Sequence, residues 1–127
     1  MPIDEVNDLL DEMAEAFPEV FFRELNGGIC LLEEEQPDPA FPGTYIMGEY
    51  CTDPMMGNYI DIYYGSFAAL AQEEDWSVED WEDELYTTLA HELTHHVEGL
   101  AGERGLEIKD AEELARWQAE WALEEGE

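Results

Sequence analysis

The apolar residues near the N-terminus recur every three or four positions. From Ile3 to Phe17 this spacing fits one face of an α-helix, and acidic residues fill the positions between. Pro18 cannot continue such a helix, because it lacks the amide hydrogen that the helix needs. The pattern predicts a first amphipathic helix over residues 3–17.

Two short apolar runs follow and flank a glycine-containing turn. Residues 20–25 and 29–32 are rich in Val, Ile, Leu and Phe, and Asn26-Gly27-Gly28 separates them. This composition favours the positive φ angles of short hairpin loops, so we predict two antiparallel strands. Residues 33–44 hold three consecutive glutamates and three prolines, which predicts a loop.

A second pair of strands is predicted in the middle of the chain. Residues 44–50 and 59–64 are aromatic and partly β-branched, which is typical of strands. Residues 51–58 lie between them and are rich in turn formers. We therefore expect two strands joined by this turn-rich segment.

The second half of the chain favours long helices. Ser77 and Asp80 have the spacing of a capping box, which predicts a helix that begins at Val78. An apolar stripe then recurs at spacings of three and four until the first of several glycines, which predicts an end near Gly99. The stripe consists of Val78, Trp81, Leu85, Leu89, Leu93 and Val97. Residues 111–123 repeat the helical spacing and predict a last helix.

Together these elements predict an α+β fold. We expect a small mixed or antiparallel sheet that packs on the long helix, with further helices at the N-terminal and C-terminal ends. A length of 127 residues suits a single domain over residues 1–127.

The strongly negative charge of the chain excludes some classes of binding partner. Thirty-four acidic residues oppose four basic ones and give a formal net charge of −30, which disfavours nucleic acid and anionic membranes. The chain shows no signal-like N-terminus and no apolar run long enough to span a membrane, so we expect a cytoplasmic location. Cys30 and Cys51 lack the spacing of a metal motif, and we expect free buried thiols in a reducing cytosol.

The candidate chemistry lies on the long helix, at His91-Glu92-Leu93-Thr94-His95. Histidines four residues apart share one helix face and can direct ring nitrogens at a single ion, a spacing that suits zinc. Zinc lowers the pKa of a water molecule that it binds to about 7. Glu92 lies on the flank between the histidines, where its carboxylate can act as general base without binding the ion. His96 falls on the apolar side, so we interpret it as a packed histidine.

The wider sequence resembles the small bacterial zincin-like metallopeptidases, whose motif reads His-Glu-x-x-His-His followed by a turn and an acidic position. The similarity spans about residues 45–117 and is carried by residues 45–50, 59–67, 91–96 and 100–110. It implies a minimal zincin fold, in which a mixed sheet lies above the zinc helix and its edge strand lines the substrate cleft. Residues 1–40 are outside the resemblance.

The third zinc ligand stays open at this point. Glu98 stands where the commonest zincin pattern has a glycine turn, and no histidine follows three residues later. A catalytic zinc site usually takes three protein ligands, so an acidic oxygen is needed. Asp110 matches the acidic position of the family and is the first choice, although Asp110 and Glu113 also have the spacing of a helix cap. Glu113 ranks second and Glu98 third.

These features predict a zinc-dependent hydrolase, a metallopeptidase that cleaves a peptide or protein substrate. Tyr63, Tyr64 and Tyr86 are candidates to stabilise the oxyanion. The negative charge favours basic or neutral peptides over acidic ones. The alternative is a non-catalytic zinc-containing or acidic module that binds a cationic protein.

Overall fold

The computed structural model describes the backbone of residues 1–104 and the side chains of residues 1–100. In this range the fold is α+β, as predicted, with three α-helices around a three-stranded mixed sheet. The elements in chain order are α1 (Ile3–Glu15), a 3₁₀ segment (Glu19–Phe22), β1 (Gly28–Leu32), β2 (Gly48–Asp53), β3 (Gly57–Tyr63), α2 (Tyr64–Glu74) and α3 (Val78–Arg104). The predicted last helix over residues 111–123 lies outside the described residues.

The sheet has the strand order β1-β3-β2. β3 pairs in parallel with β1, so that Cys30 lies beside Asp61, and antiparallel with β2, so that Tyr50 lies beside Ile60. The sheet is therefore mixed. Among the described strands, β2 has one edge that pairs with no other strand, called its free edge below. Cys30 and Cys51 are free thiols, half-buried rather than buried, and burial raises the pKa of both.

The first predicted strand pair is wrong. Pro18 opens a 3₁₀ turn in which the Phe21 amide donates to the Pro18 carbonyl at 3.0 Å. Val20 and Phe21 are both buried, whereas a strand with one solvated face would bury only one of two neighbours. Glu24 then adopts a φ of 59°, which ends any extended run. Residues 28–32 do form a strand, but their partner is β3.

The second strand pair is confirmed as an antiparallel hairpin with shifted bounds. β2 begins at Gly48 and continues to Asp53, through residues that the sequence assigned to the turn. The turn itself is short, because the Asp53 carboxylate accepts hydrogen bonds from the amides of Met55 and Met56 at 2.7 and 3.0 Å. Gly57 follows with a φ of 80° and starts β3.

Helix α3 begins where the sequence predicts. The Ser77 hydroxyl accepts from the Asp80 amide at 3.2 Å, and the Asp80 carboxylate accepts from the Ser77 amide at 2.9 Å, which completes the capping box. The predicted end near Gly99 is wrong, because the helix continues to Arg104. Leu100 is buried, and its packing offsets the roughly 1 kcal/mol that a helical glycine costs. Helix α2 was not predicted.

The core lies between α3 and one face of the sheet. The apolar stripe of α3 is buried from Trp81 onward, although Val78 at its start is 62% exposed. Ile60 and Ile62 of β3 and Val6 and Leu10 of α1 belong to the same buried cluster. This packing fixes which side of α3 turns outward. Among the described residues, no helix combines the length and the apolar character that a membrane span requires.

Candidate metal centre

His91 and His95 form an exposed pair on α3, one turn apart and opposite the buried stripe, as their spacing predicts. Their Nε2 atoms lie 3.0 Å apart, and their rings are nearly perpendicular at 88°. Two nitrogens bound tetrahedrally to one zinc ion would be about 3.3 Å apart. The pair therefore already has close to the spacing that one ion requires.

Glu92 lies between the histidines in sequence but is buried, with only 8% of its surface exposed. Burial raises the pKa of its carboxyl, and the nearby Glu49 charge raises it further. His95 and a hydrogen bond from the backbone amide of Tyr50 act in the opposite direction. Glu92 thus combines a carboxyl with a raised pKa and a fixed contact to strand β2.

The free edge of β2 faces this carboxyl. The Tyr63 amide donates to the Met47 carbonyl at 3.0 Å, which marks Met47 as a residue that turns its backbone toward β3. Backbone direction alternates along an antiparallel strand, so Gly48 and Tyr50 turn theirs away from β3. The contact between the Tyr50 amide and Glu92 agrees with this alternation.

A cleft of about 330 Å³ opens between this edge and α3. Its walls are mainly uncharged and consist of Ile46, Met47, Gly48, Thr87, Thr88, His91 and Glu92. A Cβ atom at Gly48 would lie 3.0 Å from the Thr88 Cγ2 and 3.2 Å from the Asp61 carbonyl oxygen. The glycine therefore allows the strand to approach the helix closely at the cleft.

His96 is fully buried, as predicted for a packed histidine. Its Nε2 lies 2.6 Å from the Arg23 carbonyl oxygen and its Nδ1 lies 2.7 Å from the Tyr50 hydroxyl. Both ring nitrogens are thus engaged by the fold, which sets His96 apart from the exposed pair.

The three candidate oxyanion tyrosines, Tyr63, Tyr64 and Tyr86, are not among the cleft-lining residues. Tyr63 donates to the Glu49 carboxylate at 2.5 Å, a bond that raises the pKa of its phenol strongly. Tyr64 donates to the Met1 carbonyl at 2.5 Å, and Tyr86 stacks on Phe17 at a centroid distance of 5.4 Å.

The resemblance implied that an edge strand lines the cleft, but the sequence did not identify Gly48, Thr87 and Thr88 among the lining residues. Gly48 carried a signal, because an isolated glycine inside a strand often marks a close backbone approach. Thr87 and Thr88 lie one turn before His91, but nothing in their residue types distinguished them from other helix positions.

Among the side chains that the structure describes, those of residues 1–100, no third ligand joins the pair. No group of three or more His, Cys, Asp or Glu side chains in that range, which includes Glu98, is arranged to hold a metal. Asp110 and Glu113 lie outside the described residues.

The chain is similar to the solved structure of conserved hypothetical protein TTHA0227 from Thermo thermophilus, with 34% sequence identity and a TM-score of 0.66. The match covers 80% of this chain and 98% of that one. No family model matches the chain, and no curated protein matches it.

Proposed function

We propose, from the geometry of the site, that this protein is a zinc-dependent peptide hydrolase with a minimal zincin-like fold. The chain belongs to the family of conserved hypothetical protein TTHA0227, whose name states no activity. The observation that carries the proposal is the convergence of the His91 and His95 Nε2 atoms, 3.0 Å apart, beside a buried glutamate at a cleft.

The donor set fits zinc. Imidazole nitrogens are common zinc ligands, and the two histidines need little movement to share one ion. His91 and His95 would hold the metal, and an acidic oxygen would complete the site. Asp110 remains the first choice and Glu113 the second. Zinc, when bound, supplies a Lewis acid that activates water and polarises a carbonyl.

Glu92 performs the proton transfers in this proposal. Its carboxylate accepts a proton from the attacking water and returns it to the nitrogen of the leaving amine. A raised pKa suits a group that must first take a proton and then release it near neutral pH. The Tyr50 amide holds the carboxylate in place meanwhile.

The free edge of β2 suits an extended peptide. An extended chain can add to an exposed strand through main-chain hydrogen bonds, and the backbone of Gly48 faces the cleft for this purpose. The uncharged walls accept apolar or small side chains. The net charge of −30 makes basic or neutral peptides better substrates than acidic ones.

Glu92→Gln tests the general base. We expect the variant to keep its zinc, measured by elemental analysis, and to lose at least about 100-fold in cleavage of a peptide that the wild type cleaves. Glu79→Gln, at an exposed position on the same helix, should keep wild-type activity. Full activity in Glu92→Gln, or a purified wild type that binds no zinc, would contradict the proposal.

The third ligand needs a variant that separates ligation from helix capping. Asp110→Asn keeps a good cap residue but removes the anionic oxygen. We expect its zinc affinity to fall at least tenfold in a competition assay, while Glu113→Gln binds zinc normally. The reverse result would assign Glu113 as the ligand.

A groove of about 280 Å³ between α1 and the start of α3 favours a second candidate function, the binding of a cationic protein. Apolar side chains and carboxylates line it together: Met1, Glu5, Asp8, Leu9, Glu12, Val78 and Glu82. A basic amphipathic peptide should bind here with an affinity that a chelator leaves unchanged and that Glu5→Gln/Glu12→Gln weakens. Equal affinity in the double variant would eliminate this candidate.

A further inference from the structure

The hydrogen-bonding pattern of His96 fixes the role of each ring nitrogen. A carbonyl oxygen can only accept, so the Nε2 atom, 2.6 Å from the Arg23 oxygen, carries the hydrogen and donates. The Nδ1 atom then accepts from the Tyr50 hydroxyl, 2.7 Å away. His96 therefore joins α3 to the residue after the 3₁₀ segment on one side and to β2 on the other.

Tyr50 is held from α3 at two points. Its side chain donates to His96, and its backbone amide donates to the Glu92 carboxylate. Glu92 and His96 are four residues apart, so they lie one turn apart on the same flank of the helix. Tyr50 of β2 is thus hydrogen-bonded to side chains on two successive turns of α3.

We infer that His96 is a positioning residue, which holds Tyr50 so that the Tyr50 amide fixes the general base Glu92 beside the free edge of β2. The catalytic part of this inference rests on the proposed function. The geometric part, that the hydroxyl contact at His96 controls the amide contact at Glu92, is independent of any activity.

Simple core packing does not account for this arrangement. An apolar side chain could fill a fully buried position without needing partners for two ring nitrogens, whereas burying a polar ring requires hydrogen bonds. A role confined to packing predicts a general loss of stability in variants. Positioning predicts in addition a local change at the amide of residue 50.

Tyr50→Phe removes only the hydroxyl and leaves the bond between His96 and Arg23 in place. We expect amide hydrogen exchange at residue 50 to become at least tenfold faster, measured by NMR on the metal-free protein. The Tyr63 amide, which donates to Met47 just before the start of β2, should exchange at its wild-type rate and shows whether the neighbouring strand end is loosened as well. His96→Gln, which can still donate to Arg23 but lacks the Nδ1 acceptor, should give the same local change.

Kinetics on the zinc-loaded protein supply the second measurement. Tyr50→Phe should lower kcat about tenfold with little change in KM or in zinc content, because the base is misplaced while the cleft and the metal ligands remain. Tyr59→Phe is the matched control, because it also removes a hydroxyl that is bonded to a neighbouring side chain, here Cys51, but on the opposite face of the same sheet. It should change neither measurement.

The outcomes separate the two claims. Unchanged exchange at residue 50 in both variants, or equal acceleration at residues 50 and 63, overturns the positioning role whether or not the protein is an enzyme. Local acceleration with an unchanged kcat in an active enzyme overturns its catalytic part. A wild type without zinc or cleavage defeats the proposed function, and the exchange rates still decide the geometric claim.

Discussion

Helix α3 carries two kinds of histidine within positions 91–96. The ring of His96 is fully buried, and both its nitrogens are bonded to groups of the fold, a carbonyl and a hydroxyl. His91 and His95 are exposed, and their Nε2 atoms face each other at 3.0 Å. The same side chain thus serves the fold at one position and is available to a ligand at two others.

The difference shows what distinguishes a structural histidine from a candidate ligand. Residue type and proximity in sequence do not, because His95 and His96 are adjacent. The helical turn of 100° per residue does, because it directs His96 into the apolar stripe and His95 away from it. Variants of the two kinds should therefore fail in different ways.

The largest effect on stability is expected for His96→Ala. The substitution leaves a cavity and removes the partners of the Tyr50 hydroxyl and the Arg23 carbonyl, so the free energy of unfolding should fall by about 2–4 kcal/mol. His91→Ala, on the exposed face, should change it by no more than about 0.5 kcal/mol. Urea denaturation of the metal-free proteins measures both. Similar losses of unfolding free energy in the two variants would show that the buried and exposed histidines do not differ in their structural role.

Added zinc should make the exposed histidines matter for stability, because, of the three histidines, it binds only His91 and His95. A ligand that binds the folded state alone stabilises it by about 2.7 kcal/mol at 100 times its Kd. We expect this gain as a rise in Tm for the wild type and its absence in His95→Ala.

A chelator should return the wild type to the metal-free Tm with its helical circular dichroism intact, since the core forms without the ion. Unfolding on chelation would instead indicate a structural metal.

The part of this picture that is local in sequence could be predicted. The exposed and buried sides of α3, the capping box at Ser77 and the packed His96 all follow from helical periodicity, which acts over a few residues. The end of the same helix could not be predicted from Gly99, because the burial of Leu100 overrides the local cost of glycine.

The parts that depend on distant contacts could not be predicted. β1 is an edge strand whose partner in β3 lies about thirty residues away, so its neighbouring residues 20–25 offered a false partner. The hydroxyl of Tyr50 and the amide that contacts Glu92 reach the site only because β2 is the outer strand beside α3. The motif therefore predicted the histidine pair and Glu92, whereas the contacts that Tyr50 makes with the site depend on the sheet topology.

The smallest effect should come from the buried carboxyl between the two kinds of histidine. Because the pKa of Glu92 is raised by burial, its ionised form destabilises the folded state, and Glu92→Gln should stabilise the metal-free protein by about 0.5–1 kcal/mol at pH 7. The gain should shrink as the pH falls through the raised pKa and disappear below about pH 4, where the carboxyl is protonated in both states. Urea denaturation across this range measures it, and Glu79→Gln should show no gain, because an acidic side chain in the first turn of a helix is favourable. A gain that persists unchanged at pH 3.5 would mean that the variant stabilises the protein by some route other than removal of the buried charge.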